Sequence, residues 1–212
     1  METPNHQDQL TESLVSIVNR FDAFTYRCLC DDAYTMLVMS GKVPELTGYQ
    51  TEDIVNNNRV AFSELIYRDD VKLVDKAVDY GVEHKTNWNV DYRLTKMDGS
   101  LLWVNEIGGA VYDDNGELVY LEGLVTDIST RKLEEEKRHN ILVELIKQNK
   151  DINDQLKKLH FIGISAQIEA ARFGDDGAGF AYVAQEIRTM ASDTLHIAKS
   201  ITALIDDFEK EG

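Results

Sequence analysis

Chemistry needs reactive side chains at a workable spacing, and a few groups in this chain meet that test. Cys28 and Cys30 stand one residue apart. On a β-strand that spacing puts both thiols on one face, where a metal or a dithiol couple could form. A disulfide over so short a loop is strained, and no second Cys/His pair stands at zinc spacing. Two buried apolar thiols and no metal site are the expectation. Trp88, Tyr92 and Trp103 are candidates to line a ligand pocket, with plain sheet core as the alternative. Further on, charges punctuate an apolar-periodic stretch: Glu169, Arg172, Asp175, Glu186 and Arg188, with Phe180 among them. Glu169 and Arg172 are three residues apart and share a helix face. An arginine there offers planar, multi-donor hydrogen bonding that lysine does not reproduce. These six residues are the candidate partner-binding set. The run Gly174-Asp175-Asp176-Gly177-Ala178-Gly179 lacks the Lys-Ser/Thr of a phosphate loop. No nucleophile–base pair stands out by spacing, so no catalytic residue and no enzyme is expected.

The elements that must position these residues can be read from periodicity. Residues 7–21 put Leu10, Leu14, Ile17, Val18 and Phe21 on one helical face, an amphipathic N-terminal segment over residues 1–21. Strands are expected over 24–30 and 34–39, with Asp31-Asp32 as the turn. Short helical pieces follow, one opened by Thr51 as N-cap. A longer helix from Asp69 or Asp70 carries Val71, Val74 and Val78 at helical spacing. Residues 87–95 alternate as a half-buried strand, and 101–112 and 118–125 are two more. Met97-Asp98-Gly99 and Asp113-Asp114-Asn115-Gly116 have hairpin-turn chemistry. From about Arg131 the period changes to that of a coiled-coil seam. Its positions are Leu142, Leu145, Asn149, Ile152, Leu156, Leu159, Gly163, Ala166, Ala170 and Phe173. After the glycine-broken turn at 174–179 they are Phe180, Val183, Ile187, Met190, Thr194, Ile197, Ile201, Leu204 and Phe208. Two seams joined by so short a turn fold back as an antiparallel helical hairpin over 129–212. Ala184, Ala191 and Ala198 flank the second seam and suit close packing in a four-helix bundle, formed when two hairpins pair as a homodimer.

The residues also carry two resemblances. Two strands, short helices and three strands over 22–128, with ELTGY, FSELIYRDD, YRLTKMDGSLLWV and GLVTDISTRK, resemble the PAS domain with its PAC motif. The fold class implied is α+β: a five-stranded antiparallel sheet with short helices, followed by the α-helical hairpin. The photoactive flavin domains of that family use a cysteine in a region that reads NNNRVAFSELI here. The haem domains use an axial histidine on the long helix, where this chain has none before His84. Neither a covalent flavin nor haem is expected, and the cofactor stays unknown. The stretch ISAQIEAARFGDDGAGFAYVAQEIR resembles the hairpin tip of the methyl-accepting chemotaxis proteins. In that family the tip docks the chemotaxis histidine kinase CheA and its adaptor CheW. The hairpin departs from the family pattern at Lys157, His160 and Ser165 in its first arm and at Asp175 and Ala178 in the turn.

Composition bounds the partners. Across 212 residues the formal charge is −16, which argues against nucleic acid or an anionic membrane. No apolar run approaches the roughly 20 residues of a membrane span, and no signal peptide opens the sequence. A cytoplasmic sensory transducer follows, with a PAS input and a chemoreceptor-like output. The alternative is a PAS-regulated dimeric module whose hairpin docks another regulatory partner or only dimerises.

Overall fold

A computed structural model of the chain describes the backbone of residues 6–211, with side chains continuous from 15 to 205. Leu10, Leu14 and Phe208 lie outside those side chains. The chain divides after Leu133 into two compact units.

In the first unit α1 (His6–Val18) precedes β1 (Ala23–Cys28) and β2 (Met36–Gly41). The short helices α2 (Val43–Thr47), α3 (Thr51–Ile54) and α4 (Phe62–Leu65) lead to α5 (Val71–His84). Then come β3 (Trp88–Thr95), β4 (Leu101–Tyr112) and β5 (Leu118–Asp127). The five strands make one antiparallel sheet in the order β2-β1-β5-β4-β3. Alternation decides the two faces. Trp88, Val90, Tyr92 and Leu94 of β3 are buried, while Asn89 is exposed and Asp91 and Arg93 are half-buried on the other side. The inner face packs on Val74 and Val78 of α5 and on Phe62 and Leu65 of α4. Each such side chain contributes about 1.5–3 kcal/mol by leaving water.

Several local expectations are corrected. β1 ends at Cys28, because Asp31 accepts from the Thr35 backbone N–H (2.9 Å) and hydroxyl (2.8 Å) and closes the loop early. Cys30 therefore lies beyond the strand and is exposed, while Cys28 is buried. β2 correspondingly starts at Met36, not Tyr34. Thr51 is the first helical residue of α3, and Gln50 is its cap, its N–H held by Asp53 Oδ2 at 3.1 Å. α1 stops at Val18, leaving Ile17 and Phe21 exposed and not on one buried face.

The hairpin consists of α6 (Ser129–Arg172), a 3-10 turn (Gly174–Gly177) and α7 (Ala178–Glu211). Its arms are 44 and 34 residues long. α6 begins at Ser129, two residues before the expected start, because Asp127 Oδ1 caps the Ser129 N–H at 2.7 Å. Of the three turn glycines only Gly174 has a positive φ, 58°. Gly177 serves close approach instead, since a Cβ there would stand 2.1 Å from the Ala170 carbonyl oxygen.

Candidate functional site

The aromatic trio is split by the pleat. Trp88 and Tyr92 point into the core, and Trp103 points out of the opposite sheet face, so the three do not line one cavity. What Trp88 and Tyr92 surround is Glu106, a carboxyl that is only 4% exposed. Its Oε1 accepts from Tyr26 Oη (2.5 Å) and Trp88 Nε1 (2.8 Å), and its Oε2 from Tyr92 Oη (2.6 Å). A buried carboxyl is costly unless such donors satisfy it. Burial, and then the Glu106 charge, push the Tyr26 and Tyr92 hydroxyls far above the usual range, so both remain donors. Burial likewise pushes the Cys28 thiol up to about 12.

Three glycines make the room. A Cβ on Gly81 would meet Trp88 Cε3 at 2.7 Å, and one on Gly108 would meet the same indole at 2.5 Å. One on Gly123, which pairs with Gly108, would meet Tyr26 at 3.0 Å. The space left beside Glu106, Cys28, Tyr34 and Phe62 is about 10 Å³. That is close to the volume one water needs. A larger ligand would have to displace these side chains. Sequence reasoning missed Glu106, yet the signal was there: it stands in phase with Leu102 and Val104 on the buried face of β4.

In the hairpin, burial steps by sevens. Asn149, Leu156, Gly163 and Ala170 of α6 are buried, as are Ala184, Ala191, Ala198 and Ile205 of α7. The four buried residues of α6 are all expected seam positions, whereas on α7 the expected seam is corrected. The alanines taken as flanks form the contact between the arms, because their small side chains let the helices approach. Leu145, Ile152 and Leu159 on α6, with Val183, Met190, Ile197 and Leu204 on α7, stay exposed. Asn149 Nδ2 bonds the Ala198 carbonyl and Thr202 Oγ1, each at 3.0 Å.

The candidate partner residues fall in different places around the tip. Glu169 accepts from Arg172 Nη1 at 3.1 Å, both exposed. Asp175 stands in the 3-10 turn and Glu186 is exposed on α7. Phe180, 77% exposed, borders an apolar groove with Glu169, Ala166, Phe173, Val183 and Ile187. Arg188 crosses to α6, where it covers Gly163 and donates to Gln167 Oε1. A further set went unread in the sequence: Phe161 (69% exposed) and Ile168 (57%), with the half-buried Ile164 between them, at spacings three and four on α6.

Comparison with known proteins agrees with both halves. Residues 36–125 match the PAS fold, and residues 122–212 match the methyl-accepting chemotaxis protein signalling domain. The biofilm dispersion protein BdlA of Pseudomonas aeruginosa is 25% identical over 209 residues, covering 74% of this chain and 49% of that protein. The aerotaxis receptor of Escherichia coli is 44% identical over 55 residues, 26% of this chain and 11% of the receptor. The chain thus spans about half the length of the first and about a tenth of the second. Among solved structures, a sensory box histidine kinase/response regulator from Burkholderia thailandensis superposes with a TM-score of 0.52 at 23% identity. That match covers 65% of this chain and 98% of the other, and it shows the fold. The chain thus carries a match to the PAS fold followed by a match to the methyl-accepting chemotaxis protein signalling domain, an order that fits a chemotaxis-type signal transducer.

Proposed function

We propose that this chain is a cytoplasmic, non-enzymatic transducer. Its PAS domain regulates a hairpin that dimerises and binds a chemotaxis histidine kinase and its adaptor, CheA and CheW. The observation that carries the reading is the presence of two uncovered apolar surfaces on one hairpin. The stripe Leu145, Ile152, Leu159 with Val183, Met190 and Ile197 suits a second copy, because covering it completes a four-helix core. The exposed Phe161 and Ile168 lie outside that stripe, Ile168 next to the Glu169–Arg172 pair, and suit a different protein. Among the described residues no helix is long and apolar enough to cross a membrane.

The test is capture of purified CheA and CheW by the full chain, compared with Arg172→Glu and Ile168→Glu. Both positions are exposed, so their melts should stay near that of the wild type while capture is lost. Capture that survives both changes, or that never occurs with the wild type, overturns kinase docking. The departures at Lys157, His160, Ser165, Asp175 and Ala178 favour a second reading, in which the hairpin dimerises or serves another regulatory partner. Under that reading the dimer forms and neither CheA nor CheW is retained.

A further inference from the structure

The outer face of the sheet carries a cluster that the proposed function leaves unused. Asp91 Oδ2 accepts from Arg131 Nη2 at 2.7 Å and from Lys132 Nζ at 2.8 Å. Its Oδ1 accepts from Asn105 Nδ2 at 2.9 Å. The Lys132 ammonium also stands 5.2 Å from the centre of the Trp103 ring. The Arg93 guanidinium lies at the same distance from that ring and 4.3 Å from Tyr67. Arg93 is itself held by Asp70, through Nε at 2.8 Å, Nη2 at 2.6 Å and its backbone N–H at 3.0 Å. Asp70 leads directly into α5, where its carbonyl accepts from the Val74 N–H at 3.1 Å.

Two features single this cluster out. The compact unit built on the sheet ends at Leu133, one residue beyond Lys132, so the bonded turn is the last part of α6 that belongs to the sheet. In addition, Arg131 and Lys132 are consecutive, which on a helix sets their directions about 100° apart. Either cation alone would tolerate some rotation of the helix. Both reaching one carboxylate oxygen narrows the rotations of the turn that keep the two contacts at once.

We propose that Asp91 and Trp103 are positioning residues that clamp the rotation of the first turn of α6. The Asp70–Arg93 pair ties this clamp to the start of α5, so that a shift of α5 over the core changes the hold on α6. The proposal rests on the transducer reading for its purpose. The clamp itself is a property of the sheet and the first turn of α6.

Hydrogen exchange of the full chain tests it without any kinase present, so failure of kinase docking and failure of the clamp are told apart. In Asp91→Asn the amides of 132–140 should exchange about tenfold faster or more, by local opening, while those of β3, β4 and β5 keep their protection. Lys132→Met is the second variant, because it leaves Asp91 bonded to Asn105 and Arg131 and should accelerate the same amides. Asp70→Asn separates coupling from a mere tie. Its carboxylate bonds Arg93, yet the same amides of α6 should speed up, with those of β4 and β5 unchanged. Protection of 132–140 unchanged in both Asp91→Asn and Lys132→Met overturns the clamp. Acceleration in those two without any in Asp70→Asn overturns the link to α5.

Discussion

Gly108 lies flat against the indole of Trp88: a Cβ built on it would stand 2.5 Å from both Cε2 and Cζ2. The ring cannot stay over Glu106 if that methyl is added. Gly108→Ala should lower unfolding stability by roughly 1–3 kcal/mol, the usual cost of overpacking. It should also shift the emission of Trp88, read in a Trp103→Phe background. Unchanged stability and emission would mean that the sheet yields at no cost.

Removing the carboxyl should be worse than removing any one of its donors. Tyr92→Phe loses the 2.6 Å bond to Glu106 Oε2, a loss of about 0.5–1.5 kcal/mol for one hydrogen bond. Glu106→Leu leaves three buried donors without their acceptor, at about 1–3 kcal/mol each. Denaturant unfolding of both variants should rank Glu106→Leu as the less stable, and the reverse order would show that the network contributes little.

The outer-face carboxylates make an acid-side prediction. Hydrogen bonds from Arg93 hold Asp70 below its ordinary 3.8, against the opposing effect of burial. At Asp91 burial pushes upward, and Lys132, Asn105 and Arg131 together outweigh it, so its pKa is also lowered. A group depressed on folding stabilises the folded state fully above its unfolded pKa, and that contribution fades as pH falls through the folded value. The melting-temperature gap between wild type and Asp70→Asn should therefore be widest above pH 3.8 and close below it. A gap that holds constant down to acid unfolding would refute the assignment.

Ile197 is exposed on α7 within the uncovered apolar stripe. Ile197→Glu should leave the helicity of a single chain intact but convert the dimer to monomer in light scattering, since an unpaired charge at a buried interface is costly. A wild type that is already monomeric would remove the dimer from the proposed function.

Periodicity made much of this architecture legible. The alternation of Trp88, Val90, Tyr92 and Leu94 assigned the inner face of β3, and the three-four steps after Leu142 assigned the hairpin. Where side chains override local pattern, the sequence was silent or misleading. Asp31 closes its loop onto Thr35 and strands Cys30 outside β1, and nothing in CLC reveals that. The exchange of large residues for alanines at the contact of the arms depends on how closely two helices approach, which the period alone does not give. Glu106 was visible as a charge in apolar phase, but its three donors come from β1 and β3 and need the tertiary register.

The seam between the arms also limits how this chain can change length. Asn149 bonds Ala198, Gly163 lies against Ala184, and Gly177 folds under Ala170, so both arms are counted outward from the turn in the same units of seven. A residue lost from one arm would turn every position beyond it by about 100° and put polar groups where alanine methyls meet. Insertions and deletions are therefore tolerated only as whole heptads removed from, or added to, both arms at the same level. Related hairpins of different length should differ in multiples of fourteen residues, half on each side of the turn.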